Sequence, residues 1–579
     1  MSADSVVYDM SSMSEGSPSV FVRRDNLTIL DNQNQNYNGN QSVLDTSQLA
    51  NSNKYMNYRE AYFTIPMVLT LTSALASASG LAPATPATSA DYCLGLKNWY
   101  GSIVHSLTVD LQGTTIVQQT PYIGLWNTFK LMTSLSVNDV KSQGSQIGFF
   151  PDNALSVSYQ SAASPAGINT VGGGTAATTN NVNAGSFPVV SGALNSFDNF
   201  NEGLLRRQQA WNFDLDGLTS SAASSVAFST LISSTSCNNL WKSYIYNKVN
   251  GVDATNVGVW QCAITAQVYL KHLHSFFERV PLLKGVFMKI TMNLNQTSCT
   301  FTSAGAGSNL AVTSVNSPLG GVVPLMIASA SASNGSATLG ASTYIASQSV
   351  GAQVQASTQS SLVGVQSSPL GRSILLNIPA YSFNPVYEQA YLSSPIKKII
   401  YTDVYQYQLI NQIGAGQTYN SLITNGIANI KSVLCLPYYS SSFNGGVLPI
   451  QCPLDPAGAG PTSPLCLQTQ FNIQVSGQNA IYNTERYSYE QFMNQLYGVN
   501  AVNGGMTDGC ASGLVNLQDF ETSYCYYYVD CGRCLPVEES VPKSVNILGT
   551  NQSAKAIDMF IFVEYGVEIS IDVLSGARV

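Results

Sequence analysis

At 579 residues the chain is too long for one hydrophobic core, so two or more domains are expected. Only 10% of its residues are charged, against about 25% in ordinary soluble domains, and the net charge of −8 excludes a generally basic nucleic-acid binder. Hydrophobic content is an ordinary 45%, so Ser, Thr, Asn, Gln and Gly hold the positions that Lys and Glu would normally take. A polar but weakly charged surface suits a protein covered by its neighbours, and secreted β-rich proteins share it.

The opening, MSADSVVYDMSSMSEG, has no basic segment followed by an apolar run, so no secretory signal is expected. Residues 1–50 are rich in Asn, Gln and Ser and read as a polar arm, ordered only by neighbours. Arg23 and Arg24 are its one candidate for a local nucleic-acid contact. From Tyr58 strands begin, in AYFTIPMVLTL and IVHSLTVDLQGTTIV. The most apolar window, AYFTIPMVLTLTSALASASGLA, is broken by Pro66 and by Ser and Thr, so it predicts strand and loop and no membrane span.

Leu125, Phe129 and Met132 fall at i, i+4 and i+7 and predict a helix, and Ser136 with Asp139 resembles a capping box opening the next. A Gly/Ala/Thr/Asn-rich stretch from Ser161 to Ser186 reads as a long exposed loop. Asn212 to Gly217, NFDLDG, imitates the opening of a calcium loop, but Ala223 stands where the bidentate glutamate would be needed.

The stretch HLHSFFERVPLLKG, His272 to Gly285, holds two of the three histidines. Before it, Cys262, Ile264, Ala266, Val268 and Leu270 share one parity; after it, Val286, Met288, Ile290, Met292 and Leu294 do the same. Period-2 alternation makes both flanks half-buried strands. The stretch is therefore a corner, with Ser275 as a helix cap, Pro281 ending a short helical turn, and Phe276 and Phe277 as buried anchors. A zinc site here would need at least three protein ligands, and no further His lies nearby.

A second low-complexity tract containing ASASASNGSATLGASTYIASQSV precedes the strands SILLNIPAYSF and PIKKIIYTDVYQYQL. Eleven scattered cysteines, an odd number, read as reduced and mostly buried thiols. Cys525, Cys531 and Cys534 form the one cluster, which lacks the fourth ligand of a structural zinc site. Tyr524, Tyr526, Tyr527 and Tyr528 are an aromatic strand for a core or a subunit boundary. Alternate residues from Ile557 to Val573 are apolar over more than an ordinary strand length, so Gly566 is expected to mark a bend or bulge dividing it.

No nucleophile elbow, phosphate loop, dinucleotide turn or H-E-x-x-H occurs, and His105 reads as an ordinary strand histidine. No catalytic, cofactor or metal residue is assigned. Two β-rich blocks remain, 51–296 and 297–579, as expected of antiparallel sandwiches that protect their edges.

Four phrases, NYNGNQSVLDTSQLANSNKYMNYREAYFTIPMVL, YLKHLHSFFERVPLLKGVFMKITMNLNQ, SSPIKKIIYTDVYQYQL and YGVEISIDVLSGARV, resemble in the same order the double jelly-roll major capsid proteins of virophages and polinton-like viruses. The resemblance spans nearly the whole chain, apart from the Ala/Ser/Thr-rich insertions. It implies two jelly rolls side by side and a homotrimer with a pseudo-hexagonal outline. Such trimers would tile an icosahedral shell around double-stranded DNA, with the arm facing inward and long loops outward. The implied partners are neighbouring capsomers, penton and minor capsid proteins, with at most weak contact to packaged DNA. The implied place is the virion, assembled inside a host cell. Two other readings are a minor virion protein, penton or spike, and a carbohydrate-binding β-sandwich, for which no paired carboxylates stand out.

Overall fold

A computed structural model describes residues 19–33, 36–49, 52–73, 92–152, 258–303, 310–320, 322–329, 342–351, 373–440, 449–451, 466–481, 486–502, 513–522, 524–531, 540–553 and 555–578, together with 181–182, 203, 207 and 246–247. The calcium-like run at 212–217, Cys534 and all but two residues of the 161–186 loop lie outside them.

The first block contains β1 (Phe21–Leu30), β2 (Gln41–Asp45), β3 (Tyr62–Ser73), β4 (Val104–Leu111), β5 (Thr114–Val117), β6 (Gly258–Tyr269) and β7 (Met288–Leu294). One antiparallel sheet runs β2-β7-β4-β5. In β7, Met288, Ile290, Met292 and Leu294 are fully buried and the residues between them half-exposed, the alternation read from the sequence. β3 pairs with β6 along its whole length, from Tyr62 opposite Tyr269 to Ser73 opposite Gly258. Helices α1 (Ile123–Ser134) and α2 (Val137–Ile147) follow β5, and the predicted capping box opens α2: Ser136 Oγ accepts from Asp139 N–H at 3.1 Å, and the Asp139 carboxylate accepts from Ser136 N–H at 2.8 Å.

The free edge of β3 is taken by strands from beyond Gln296. They are β8 (Thr297–Ser303), β9 (Ser342–Val350) and β10 (Leu375–Phe383). β9 lies against Met67–Ser73, β10 against Tyr62–Thr64, and β8 adds to β9. Where the sequence divides at 296/297, main-chain pairing carries the chain back onto the first block as far as Phe383.

The polar arm also departs from expectation, because it contributes two strands. β1 pairs with β10 from Phe21 opposite Phe383 to Leu30 opposite Leu375, and β2 sits in the four-stranded sheet. Ile29 is the only fully buried side chain of β1, so no inward alternation was available to read.

The second block starts at Ile396 with eight strands: β11 (Ile396–Ile413), β12 (Thr418–Ile427), β13 (Ile430–Tyr439), β14 (Gln468–Val475), β15 (Gln478–Asn479), β16 (Tyr527–Asp530), β17 (Lys543–Asn551) and β18 (Ile557–Asp572). Its sheets run β11-β18-β13-β16 and β12-β17-β14-β15. Within the block, first pairs with last, second with seventh, third with sixth and fourth with fifth. That nested wrapping over two sheets is a jelly roll. The first block repeats its outer turns: β2 pairs with β7, which pairs with β4, while β3 pairs with β6. The chain is an all-β double jelly roll with short helices.

β18 is not divided at Gly566. It runs unbroken from Ile557 to Asp572 and keeps register with β11 from Asp572 to Met559. The irregularity lies across the other edge, in β13 between Ile430 and Ser432. There Gly566 N–H donates to Asn429 O at 2.9 Å, and a Cβ on Gly566 would fall 2.4 Å from Asn429 Nδ2. The glycine leaves room for the Asn429 side chain and does not interrupt the strand.

After β18 the tail folds back and reaches the first roll, with Lys284 N–H donating to Val573 O at 3.1 Å and Val573 N–H to Pro395 O at 3.0 Å. Gly576 holds a left-handed backbone, φ 70°, and a Cβ there would meet Val286 Cγ1 at 2.3 Å. Gly576→Ala should therefore cost roughly 1–3 kcal/mol, read as a lowered melting temperature. Between β1 and β2, Asp31 is buried, and burial raises its carboxyl above the usual range, against a smaller lowering influence of the nearby Tyr37, Ser373 and Ser42 hydroxyls. A raised carboxyl pKa means that folding is unpenalised below the ordinary value of 3.8 and loses stability as pH rises through the folded value. Asp31→Asn should stabilise the protein at pH 7 and leave its melting temperature unchanged near pH 3; equal gains at both would contradict this.

Candidate functional site

The corner between β6 and β7 holds two single-turn helices, α3 (Leu270–Leu273) and α4 (Phe276–Arg279). Phe276 and Phe277 are fully buried, and Pro281 follows the end of α4. The corner faces the second roll: Phe276 meets Tyr401 of β11 edge-on at 5.4 Å.

Ser275 departs from its expected role, for it makes no helix-cap bond. Its hydroxyl reaches β11 instead, donating to Thr402 O and accepting from Thr402 N–H at 3.1 Å. The two histidines of the corner take different partners. Phe276 N–H donates to His274 Nδ1 at 3.2 Å, which leaves the proton on Nε2, facing Asp403 Oδ1 at 3.2 Å. His272 packs beside Tyr269 and Lys271, and burial pushes its pKa down to about 4. His105, also pushed down to about 4 by burial, lies edge-on to Tyr122. Among the described residues no group of three or more His, Cys, Asp or Glu gathers to hold a metal.

The second half of the seam is α1. Its Leu125, Phe129 and Met132 are buried as the spacing implied, but a neighbouring stripe, Tyr122 and Trp126, faces the other roll. Tyr122 lies 5.1 Å from Phe560 and Trp126 6.2 Å from Phe562, both on β18. Phe129 meets Tyr526 at 5.0 Å and Tyr528 at 5.4 Å. A helix apolar on two sides lies between two bodies, and that signal was present in the sequence. Lys130 closes the edge of this contact, over the Trp126 ring and 3.3 Å from Glu564.

The tyrosine run is thus a core feature. Tyr524, Tyr526 and Tyr527 are at most 5% exposed, Tyr528 is half-buried, and the Tyr524 hydroxyl donates to Asp152 O at 2.7 Å across the seam. Asp152 belongs to a buried node that sequence reading missed: the fully buried Arg207 donates to its carboxylate and to Leu96 O at 2.7 Å. Nothing in the local sequence marks that arginine, since its partners, the Asp152 carboxylate and main-chain carbonyls, lie far away in the chain. Cys525 is buried and Cys531 half-buried, and among the described residues neither belongs to a group of three or more metal-ligating side chains. Arg23 and Arg24 are exposed, and each pairs with an acid, Asp25 at 2.8 Å and Glu60 at 2.9 Å.

One hydrophobic cluster runs through both rolls and the seam. These features define a double jelly-roll protein whose two rolls share one hydrophobic cluster, and no helix among its described residues is long and apolar enough to cross a membrane. No protein-family model and no curated protein matches the chain. Solved structures similar to it include that of the Sputnik virophage, 12% identical over 98% of this chain and 90% of that chain, with a TM-score of 0.49. The Faustovirus major capsid protein is 9% identical over 96% and 91%, TM-score 0.41, and the mavirus major capsid protein 9% over 98% and 91%, TM-score 0.40.

Truncating Phe276 to Ala empties the centre of this contact and should cost about 3–5 kcal/mol. A soluble Phe276→Ala protein of unchanged melting temperature would contradict the assignment.

Proposed function

We propose that the chain is a major capsid protein whose trimers tile an icosahedral shell around double-stranded DNA. The observation that carries this reading is the repeated jelly-roll wrapping within one chain, joined by a largely aromatic seam. Two similar sandwiches held side by side make half the problem of a hexagonal tile local to one polypeptide. Three such chains around a threefold axis present six similar lobes, and cyclic closure buries the same interface three times. The four phrases that resemble the virophage and polinton-like capsid proteins fall in both rolls, which supports the same reading.

The charge deficit has a physical role in a shell. Identical neighbours bring identical surfaces close together, where dense like charge would repel and buried charge would need costly desolvation. Neutral hydrogen-bonding side chains avoid both. Neighbouring capsomers are the main partners, with penton and minor capsid proteins at the vertices and joints. Contact with DNA is weak, because Arg23 and Arg24 are each neutralised by an acid. The role is non-catalytic, and the protein resides in the virion after assembly in the host cell. Phe276, Phe277, Pro281 and Gly566 serve as structural anchors in this role. A penton or spike needs only one roll, so the doubled wrapping disfavours that alternative.

Electron microscopy of the purified full-length protein tests the reading. Threefold particles with six-lobed outlines are expected. Fivefold rings would favour a penton, and a monomer stabilised by sugars would favour a glycan-binding sandwich; either result overturns the proposal.

A further inference from the structure

The linker between the rolls is a helix, α5 (Pro385–Leu392), with no buried residue of its own. A surface helix normally holds its place by burying an apolar stripe. α5 is held by the partly buried Tyr391 and Leu392 of its last turn and by the contacts of Glu388 at its middle. The Glu388 carboxylate accepts from Tyr55 Oη and from Lys284 Nζ, both at 2.9 Å. The Tyr391 ring stacks on Phe383 at 5.3 Å, and Lys397, the second residue of β11, sits 4.6 Å over that ring.

The other side of this cluster is β1. Phe21 packs 4.8 Å from Phe383 and 4.7 Å from Tyr381, while Arg24 covers the Tyr381 ring at 5.6 Å. Asn384 caps α5, its side chain accepting from Val386 N–H, and its own N–H donates to Val20 O at 3.0 Å. So the first turn of the linker is tied to the beginning of β1. Yet β1 is an edge strand, paired among the described residues with β10 alone, with most of its side chains exposed. A strand held mainly by main-chain bonds at a sheet edge is among the first elements to open.

We propose that β1 is a clasp: docked, it holds the linker helix and the start of β11 against the first roll; released, it frees both while the two rolls stay folded. Phe21 is the point of coupling, since its ring is the part of β1 that touches Phe383, and Phe383 carries the Tyr391 ring. The clasp closes the linker end of the junction, and the α1 and α4 contacts close the rest. This holds whatever the chain assembles into.

Hydrogen–deuterium exchange on the full chain tests it. In the wild type, amides of 21–29 and 385–392 should exchange with matching rates, faster than those of β13 and β18. Phe21→Ala should speed both segments about tenfold and leave β13 and β18 unchanged. Phe21→Tyr keeps the ring and should behave as the wild type, and Phe21→Leu replaces the alanine variant should that fold poorly. Faster exchange at 21–29 with none at 385–392 would overturn the proposal, as would equal acceleration throughout the second roll or failure of Phe21→Tyr to restore wild-type rates.

Discussion

The structure depends on how the second roll treats its longest edge. β11 is an 18-residue strand that, among the described residues, pairs with β18 on one side only, and an open edge of that length presents a row of unpaired N–H and C=O groups. The first roll covers part of its middle with side chains. Ser275 serves both main-chain groups of Thr402, and Thr120 Oγ1 donates to Val404 O at 2.8 Å. In return Tyr401 Oη of β11 donates to Ile116 O at 2.7 Å. The Ser275 and Thr120 bonds stand in for a neighbouring strand there, and all of them fix the first roll at one height along β11.

Around that line the seam is largely aromatic. Rings dominate because each buries a large area in a planar shape and tolerates edge-on contact, so two curved sheets can meet without interlocking their main chains. The polar groups along it are partnered: His274 Nε2 faces Asp403, and the partly exposed Lys130 faces Glu564. A buried polar group left without its partner would be costly, so these contacts favour one relative position of the rolls.

Much of the fold was legible in local pattern. Alternation in β7 and β18, the helix through Phe129, the Ser136 capping box and the buried Phe276–Phe277 corner follow from periodicity and capping, which are properties of a few neighbouring residues. Features set by pairing across the chain were hidden. β1 reads as a polar arm because main-chain bonds to β10 hold it. Ser275 reads as a cap because its true partner, Thr402, is far away in sequence. Gly566 reads as a bend, since the close approach of Asn429 leaves no trace in the alternation.

The sequence by itself determined an all-β chain of two blocks with neutral surfaces, because burial alternation and composition are written residue by residue. Only the tertiary structure decided that the strands of 297–383 return to the first roll, that the tyrosine run lies in the core, and that the two rolls share one hydrophobic cluster. The physical reason is that strand pairing and seam packing join residues hundreds of positions apart, and any one strand with an apolar face can satisfy many partners. Which partner it takes is settled only when all edges and faces are buried together.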